Sequence, residues 1–204
     1  MRVRAKICGI TRVEDALNAI SLGADAIGLV FYDKSPRNVS ISQAIEIACQ
    51  VPAFVNVVGL FVNANTEFVN EVISKVKIDL LQFHGEETPQ QCDAYRLPFI
   101  KAIRVKESTN LVQCANDFFA AKALLLDAYS EGLPGGTGNV FDWNLIPKQL
   151  SKPVILAGGL NSSNVAQAIK QVKPYAVDVS GGVESAKGIK DFEKLTAFMQ
   201  QVYK

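Results

Sequence analysis

One histidine, one tryptophan and two methionines are all this chain holds of those residue types, and its four cysteines are scattered. Cys8, Cys49, Cys92 and Cys114 form no C-x-x-C pair, and the lone His84 stands at no ligand spacing from them. That argues against zinc. A disulfide scaffold is not expected in a chain of this length without a secretion signal. Charge of one sign is missing too. The 21 basic and 20 acidic residues leave a net charge of +1, with no basic block for nucleic acid and no acidic tail. No run of about 18 apolar residues is present to span a membrane. The N-terminus lacks the apolar core and small-residue cleavage site of a signal peptide. The expectation is a cytoplasmic protein with reduced cysteines, no membrane association and no nucleic-acid partner.

What is abundant is apolar material, 49% of 204 residues, enough for the core of one domain spanning 1–204. It comes in short β-rich runs at 3–8, 26–31, 55–62, 80–83, 99–105, 123–128, 153–157 and 176–180. Several are continuous rather than alternating, the pattern of strands buried on both faces of a parallel sheet. Helical periodicity lies between them. Thr11 with Glu14 reads as a capping box, and Thr88-Pro89 opens another helix with proline in the first turn. Further helices are expected after Ser42, Thr66, Ser163 and Asp191, and over 111–119. The crossover at 141–150 is interrupted by Pro147 and is expected to be short. Eight β-α units in 204 residues, about 25 residues each, fit a (β/α)8 barrel at its low end. An open doubly wound sheet is the alternative, but it would carry a glycine-rich turn after its first strand. Here the glycine-rich turns come late, and no linker marks a domain boundary.

A barrel of this kind places its site at the C-terminal ends of the strands. The residues there are polar. The first strand ends at Cys8, and the second runs into F-Y-D-K-S-P-R, closing on Arg37. The fourth ends in Q-F-H-G with His84, the fifth near Arg104, and the sixth at Asp127 before a glycine-rich loop at 132–138. The seventh ends in A-G-G-L-N at 157–161, the eighth in V-D-V-S-G-G-V-E at 177–184. Glycines at two adjacent strand ends let backbone N–H groups approach an anion, so a phosphorylated substrate is expected there. The plainer alternative is that they only make tight turns. Cys8 could act as a base if its thiol were activated, with help from a helix after Gly9, or could be a small buried hydrophobe. Asp127 could act as an acid in an apolar site, or accept hydrogen bonds from loop amides. His84 is a candidate for binding substrate, or a structural hydrogen-bonding residue. Cys49, Cys92 and Cys114 fall in helical patterns and read as packing.

These stretches together resemble the phosphoribosylanthranilate isomerase family of tryptophan biosynthesis. The matching segments are K-I-C-G-I-T at 6–11, G-L-V-F-Y-D-K-S-P-R at 28–37, V-G-L-F-V-N at 58–63, L-Q-F-H-G at 81–85, L-L-L-D at 124–127, G-G-T-G at 135–138, L-A-G-G-L at 156–160 and V-D-V-S-G-G-V-E at 177–184. They stand in the family's order along nearly the whole chain. The resemblance implies a (β/α)8 barrel without cofactor or metal that carries out an Amadori rearrangement of N-(5-phosphoribosyl)anthranilate. It implies Asp127 as general acid and Cys8 as general base. It implies Arg37 on the anthranilate part, Asp178 at the sugar, and Gly158, Gly159, Ser180, Gly181 and Gly182 around the phosphate. Gly181 replaces the family's common second serine, and Phe83 its usual leucine. The expected partner is this small phosphosugar, bound by a stand-alone monomer, with a homodimer as the alternative.

Three competing readings remain at this point. One is another phosphosugar isomerase, such as the histidine-pathway enzyme, whose type uses two aspartates. Another is a non-catalytic phosphosugar-binding barrel. The third is redox sensing through Cys8, which needs a resolving thiol nearby.

Overall fold

Each of the eight apolar runs forms a strand. A computed structural model describes residues 2–128 and 141–204. The strands are β1 (Arg4–Cys8), β2 (Ala26–Phe31), β3 (Asn56–Phe61), β4 (Leu80–Phe83), β5 (Phe99–Val105), β6 (Leu124–Ala128), β7 (Val154–Leu156) and β8 (Ala176–Val179). All pair in parallel, in sequence order, and β8 pairs with β1 to close the barrel. The continuous hydrophobicity has its reason here. One face of each strand packs inside the barrel, where Ile100, Ala102, Leu125, Ile155 and Ala176 form a cluster. The other packs on the helices, where Ile7, Ile27, Leu29 and Phe61 meet Ala16, Ala44, Val69 and Phe198. Burying one such large aliphatic or aromatic side chain contributes roughly 1.5–3 kcal/mol.

The helices are α1 (Val13–Ser21), α2 (Ile41–Ala48), α3 (Thr66–Lys75), α4 (Pro89–Cys92), α5 (Leu111–Asp117), α6 (Val165–Val172) and α7 (Phe192–Val202). Thr88 caps α4 with Gln91 as a reciprocal box, and Asp191 caps α7. The other expected caps are displaced. Ser40, not Ser42, caps α2 with Gln43, and Asn65 rather than Thr66 caps α3. Thr11 is no cap: its hydroxyl donates to the Gly188 carbonyl, and Arg12 stands at the N-cap of α1 without a side-chain bond. Asn164 precedes α6, also without one. Between β6 and β7 the described chain holds a single 3-10 turn, Trp143–Leu145, as Pro147 foretold. A hairpin absent from the sequence reading, β9 (Glu184–Ala186) with β10 (Ile189–Lys190), separates β8 from α7. No helix among the described residues is long and apolar enough to cross a membrane.

Candidate active site

Gly28 explains how β1 can deliver two reactive side chains to one spot. A Cβ at this position on β2 would lie 2.9 Å from Cys8 Sγ and 3.1 Å from Lys6 Nζ. The missing side chain leaves the space that both occupy. Lys6 and Cys8 are two residues apart on one strand and so share its inward face. Lys6 is opposite Asp178 in the β1–β8 register, and its ammonium donates to Asp178 Oδ1 at 2.8 Å, with both side chains buried. Burial by itself would lower the Lys6 pKa. The negative charge of Asp178, then that of Cys8, outweighs it and holds the ammonium above the ordinary lysine range. Cys8 is 6% exposed, and burial pushes its thiol pKa up while the charge of Lys6 pulls against the rise. The helix expected to help Cys8 starts only at Val13, and the cations acting on the thiol are Lys6, Lys190 and Arg37.

Across the mouth, Asp127 stands one residue before the end of β6 with its carboxylate fixed at both oxygens. Oδ1 accepts from the Ala128 amide at 2.8 Å, and Oδ2 lies 3.1 Å from His84 Nε2. His84 Nδ1 faces the Gln82 side-chain nitrogen at 2.9 Å. With that amide nitrogen donating, His84 carries its hydrogen on Nε2 and donates it to Asp127. Gln82 on β4 and His84 just past its end stand two positions apart, and both point into the hollow. Gln82 is fully buried.

The rim is built on Arg37. Its Nε and Nη2 donate to the two oxygens of Glu184, each at 2.7 Å, a bidentate pair. Lys190 Nζ donates to the same carboxylate at 2.8 Å and to the Ser180 carbonyl. Burial would raise the Glu184 pKa, but the bonds from Arg37 and the charge of Lys190 hold it below the usual glutamate value. Burial also leaves Lys190 below the ordinary lysine value despite its pairing. Gly9, at φ +74°, lets the Arg37 stem pass where a Cβ would lie 2.4 Å from its Cδ.

The glycines after β7 and β8 form the floor of an adjoining hollow with Ser180, Asp127 and Asp178. Gly158 and Gly159 have φ of +80° and +64°, in the left-handed region. A Cβ on Gly158 would fall 2.5 Å from the Ala128 nitrogen, and one on Gly182 only 1.9 Å from the Leu160 carbonyl oxygen. The two loops are therefore interlocked through their missing side chains. The element after Ser180 is a 3-10 turn, Gly181–Val183, rather than a helix.

All ten candidate residues from the sequence meet here. Cys8, Arg37, His84, Asp127, Asp178 and Ser180 line one hollow, and Asp127, Asp178 and Ser180 join it to the hollow lined by Gly158, Gly159, Gly181 and Gly182. The segment G-G-T-G at 135–138 lies outside the described residues. The sequence reading passed over Lys6, Gln82, Glu184 and Lys190. Lys6 had a signal: a charge inside a strand otherwise buried on both faces needs a partner. The other cysteines stay away from the mouth. Cys92 is buried and Cys114 is half-buried, but Cys49 is exposed at the end of α2, which corrects its reading as packing. No group of three His, Cys, Asp or Glu side chains suited to a metal occurs among the described residues.

Residues 5–201 match the family model described as N-(5'phosphoribosyl)anthranilate (PRA) isomerase. The chain belongs to the phosphoribosylanthranilate isomerase family. A relative named N-(5'-phosphoribosyl)anthranilate isomerase, from Pseudomonas syringae pv. tomato, is 61% identical over 201 residues, covering 98% of each chain. Among solved structures, the phosphoribosyl anthranilate isomerase of Thermotoga maritima superposes with a TM-score of 0.89 at 40% identity, covering 98% of each chain. A structure of a family member in complex with reduced 1-(o-carboxyphenylamino)-1-deoxyribulose 5-phosphate matches with a TM-score of 0.87 at 40% identity, again covering 98% of each chain.

Proposed function

We propose that this isomerase-family chain converts N-(5'-phosphoribosyl)anthranilate to 1-(2-carboxyphenylamino)-1-deoxyribulose 5-phosphate, with Asp127 as general acid and Cys8 as general base. One observation carries the assignment of roles. Cys8 and Asp127 line one hollow from strands separated by β7 and β8, with Asp178 among its walls. An aldose-to-ketose shift needs a proton placed on one atom and another removed nearby, and two such groups can do both.

In this reading the phosphate rests against the amides of Gly158, Gly159, Ser180, Gly181 and Gly182. Arg37 spends Nε and Nη2 on Glu184, so Nη1 remains for the anthranilate carboxylate. Asp127, as the general acid of this reading, delivers a proton to the furanose oxygen. The C1′–O bond breaks and the anthranilate nitrogen's lone pair forms the C1′=N bond of a Schiff base. His84 keeps the Asp127 carboxyl in place through the Nε2 bond. Cys8, as thiolate, then takes the C2′ proton. The C2′–H electrons form the C1′=C2′ bond, and the C=N pair returns to nitrogen, giving an enolamine. Tautomerisation yields the ketone. Asp178, held by Lys6 through Oδ1, offers Oδ2 to a sugar hydroxyl.

The related Thermotoga maritima protein is described as dimeric. For this chain the reading remains a monomer, with a homodimer as the alternative. A single domain, a cytoplasmic setting and a reaction without cofactor agree with this reading.

The test is the loss of fluorescence of freshly prepared phosphoribosylanthranilate on adding purified protein, beside its Cys8→Ala and Asp127→Asn variants. Fast loss with the unaltered chain and a drop of about 10²–10⁴-fold with each variant is expected. No loss with the unaltered chain would leave a phosphosugar-binding barrel. Full turnover by Cys8→Ala would return Cys8 to packing.

A further inference from the structure

We infer that Lys6 is a positioning residue for Cys8: its ammonium, shared between the Cys8 sulfur and Asp178 in the space left by Gly28, is the counter-charge that makes the thiolate available. The inference rests on the role proposed for Cys8. Three geometric facts carry it. Lys6 and Cys8 share the inward face of β1. Both side-chain ends lie within 3.1 Å of the point where a Gly28 Cβ would be. Asp178 Oδ1 receives the ammonium at 2.8 Å from the neighbouring strand, so Lys6 is tethered and stays charged.

The electrostatics work as a small relay of charge. A buried thiolate is costly because it has lost its water. Lys6 supplies a positive charge that offsets this, from a side chain that burial alone would neutralise. Asp178 keeps Lys6 protonated but raises the thiol pKa by its own charge. The two therefore act on Cys8 with opposite sign. Arg37 and Lys190 also face the thiol, both already committed to Glu184. Asp127 and His84 stand across the same hollow, bonded to one another. Of these cations Lys6 acts most strongly on the thiol, and its acidic partner Asp178 acts on the thiol as well. When Cys8 takes the substrate proton it becomes neutral, and Lys6 and Asp178 remain as a matched pair. Lys6 itself transfers no proton at any stage.

The test reads the thiol, not turnover. Alkylation of Cys8 by iodoacetamide is followed by mass spectrometry of the peptide that contains it, across pH, in the full chain. Exposed Cys49 reports separately on its own peptide. Lys6→Met is expected to move the midpoint for Cys8 labelling up by about one pH unit or more and to slow labelling at neutral pH about tenfold. Asp178→Asn is expected to move the midpoint down. Removing Lys6 alone strands a buried carboxylate and could cost the fold. The double variant Lys6→Met/Asp178→Asn removes both charges and is expected to keep a smaller upward shift, because Lys6 acts on the thiol more strongly than Asp178. Folding is checked by circular dichroism on each protein. An unchanged midpoint in folded Lys6→Met or in the double variant overturns the inference, as do shifts of the two single variants in the same direction. Turnover of Cys8→Ala, measured beside these, tests the base role alone. If that role fails while the opposite shifts are seen, the charge coupling stands and its catalytic meaning does not.

Discussion

Glu184 accepts two bonds from Arg37 and one from Lys190, whose side chain has no exposure at all. A neutral amide could keep some of these contacts but not the charge. Glu184→Gln is expected to loosen Arg37, raising KM for the phosphosugar about tenfold with a smaller effect on kcat. It also leaves Lys190 without an anion, a loss of roughly 3 kcal/mol that thermal melting would register. The pH dependence follows from the direction of the shift. The folded pKa of Glu184 lies below its ordinary value of 4.5. Its contribution is therefore complete above that value and lost as pH falls through the depressed one. The stability gap between the two proteins should be constant near neutrality and close in acid; a gap that widens there would contradict the assignment. Little of this was legible beforehand. The motif that ends in Glu184 was visible, but its partner Arg37 lies 147 positions away, and only the closed barrel brings them together. Cys8, Asp127 and Asp178 were legible because the rule placing sites at strand ends needs only the strand boundaries.

At the scale of elements, the strands were read almost to the residue while the helix starts were not. Strand limits follow from where continuous hydrophobicity stops. Caps are chosen by local geometry among neighbouring polar residues, as between Ser40 and Ser42, so the pattern leaves the choice open. The hairpin β9–β10 was missed because two strands of three and two residues carry no periodicity of their own. The loops after β7 and β8 allow a sharper expectation, because adjacent glycines in one motif do different work. A Cβ at Gly182 meets the Leu160 carbonyl oxygen at 1.9 Å, so Gly182→Ala must push the two loops apart. A Cβ at Gly181 meets nothing nearer than Arg37 Nη2 at 3.3 Å, and its φ is ordinary. Gly182→Ala should raise KM at least about tenfold and lower the melting temperature. Gly181→Ser, which restores the residue common in the family, should leave melting within about 2 °C and KM within about threefold, as an accommodated surface substitution does. Equal damage from both would mean that the interlock is not what shapes the phosphate floor.

For the whole molecule, what stands out is how much buried charge an evenly balanced composition conceals. With 21 basic and 20 acidic residues, the chain reads as a uniformly solvated surface. Yet Lys6 pairs with Asp178, Lys101 with Glu87 and Lys190 with Glu184, all inside. Two of the pairs join separate parts of the ring, and the third lies within the hairpin beside it. Lys6–Asp178 spans the seam where β8 closes on β1. Lys190 on β10 closes the hairpin onto Glu184 of β9, the carboxylate that holds Arg37. Glu87 reaches furthest, accepting from the Asn63 amide after β3, the Gly85 amide after β4 and Lys101 on β5. Lys101 also donates to the Gly85 carbonyl. The loops after β3 and β4 are thus fastened to β5 by one carboxylate that takes no part in the proposed chemistry. Its removal strands Lys101 and frees two loop amides at once. Breaking such a pair from one side costs about 3–5 kcal/mol. At about 2–4 °C per kcal/mol for a chain of this size, Glu87→Ala should melt at least about 6 °C lower. Because His84 precedes Gly85 on the released loop, turnover should fall as well, but less than in Asp127→Asn. Differential scanning calorimetry beside the fluorescence assay separates the two effects. A melting temperature within about 2 °C of the unaltered chain would show that the barrel's upper rim is held by packing, with the buried charges as passengers.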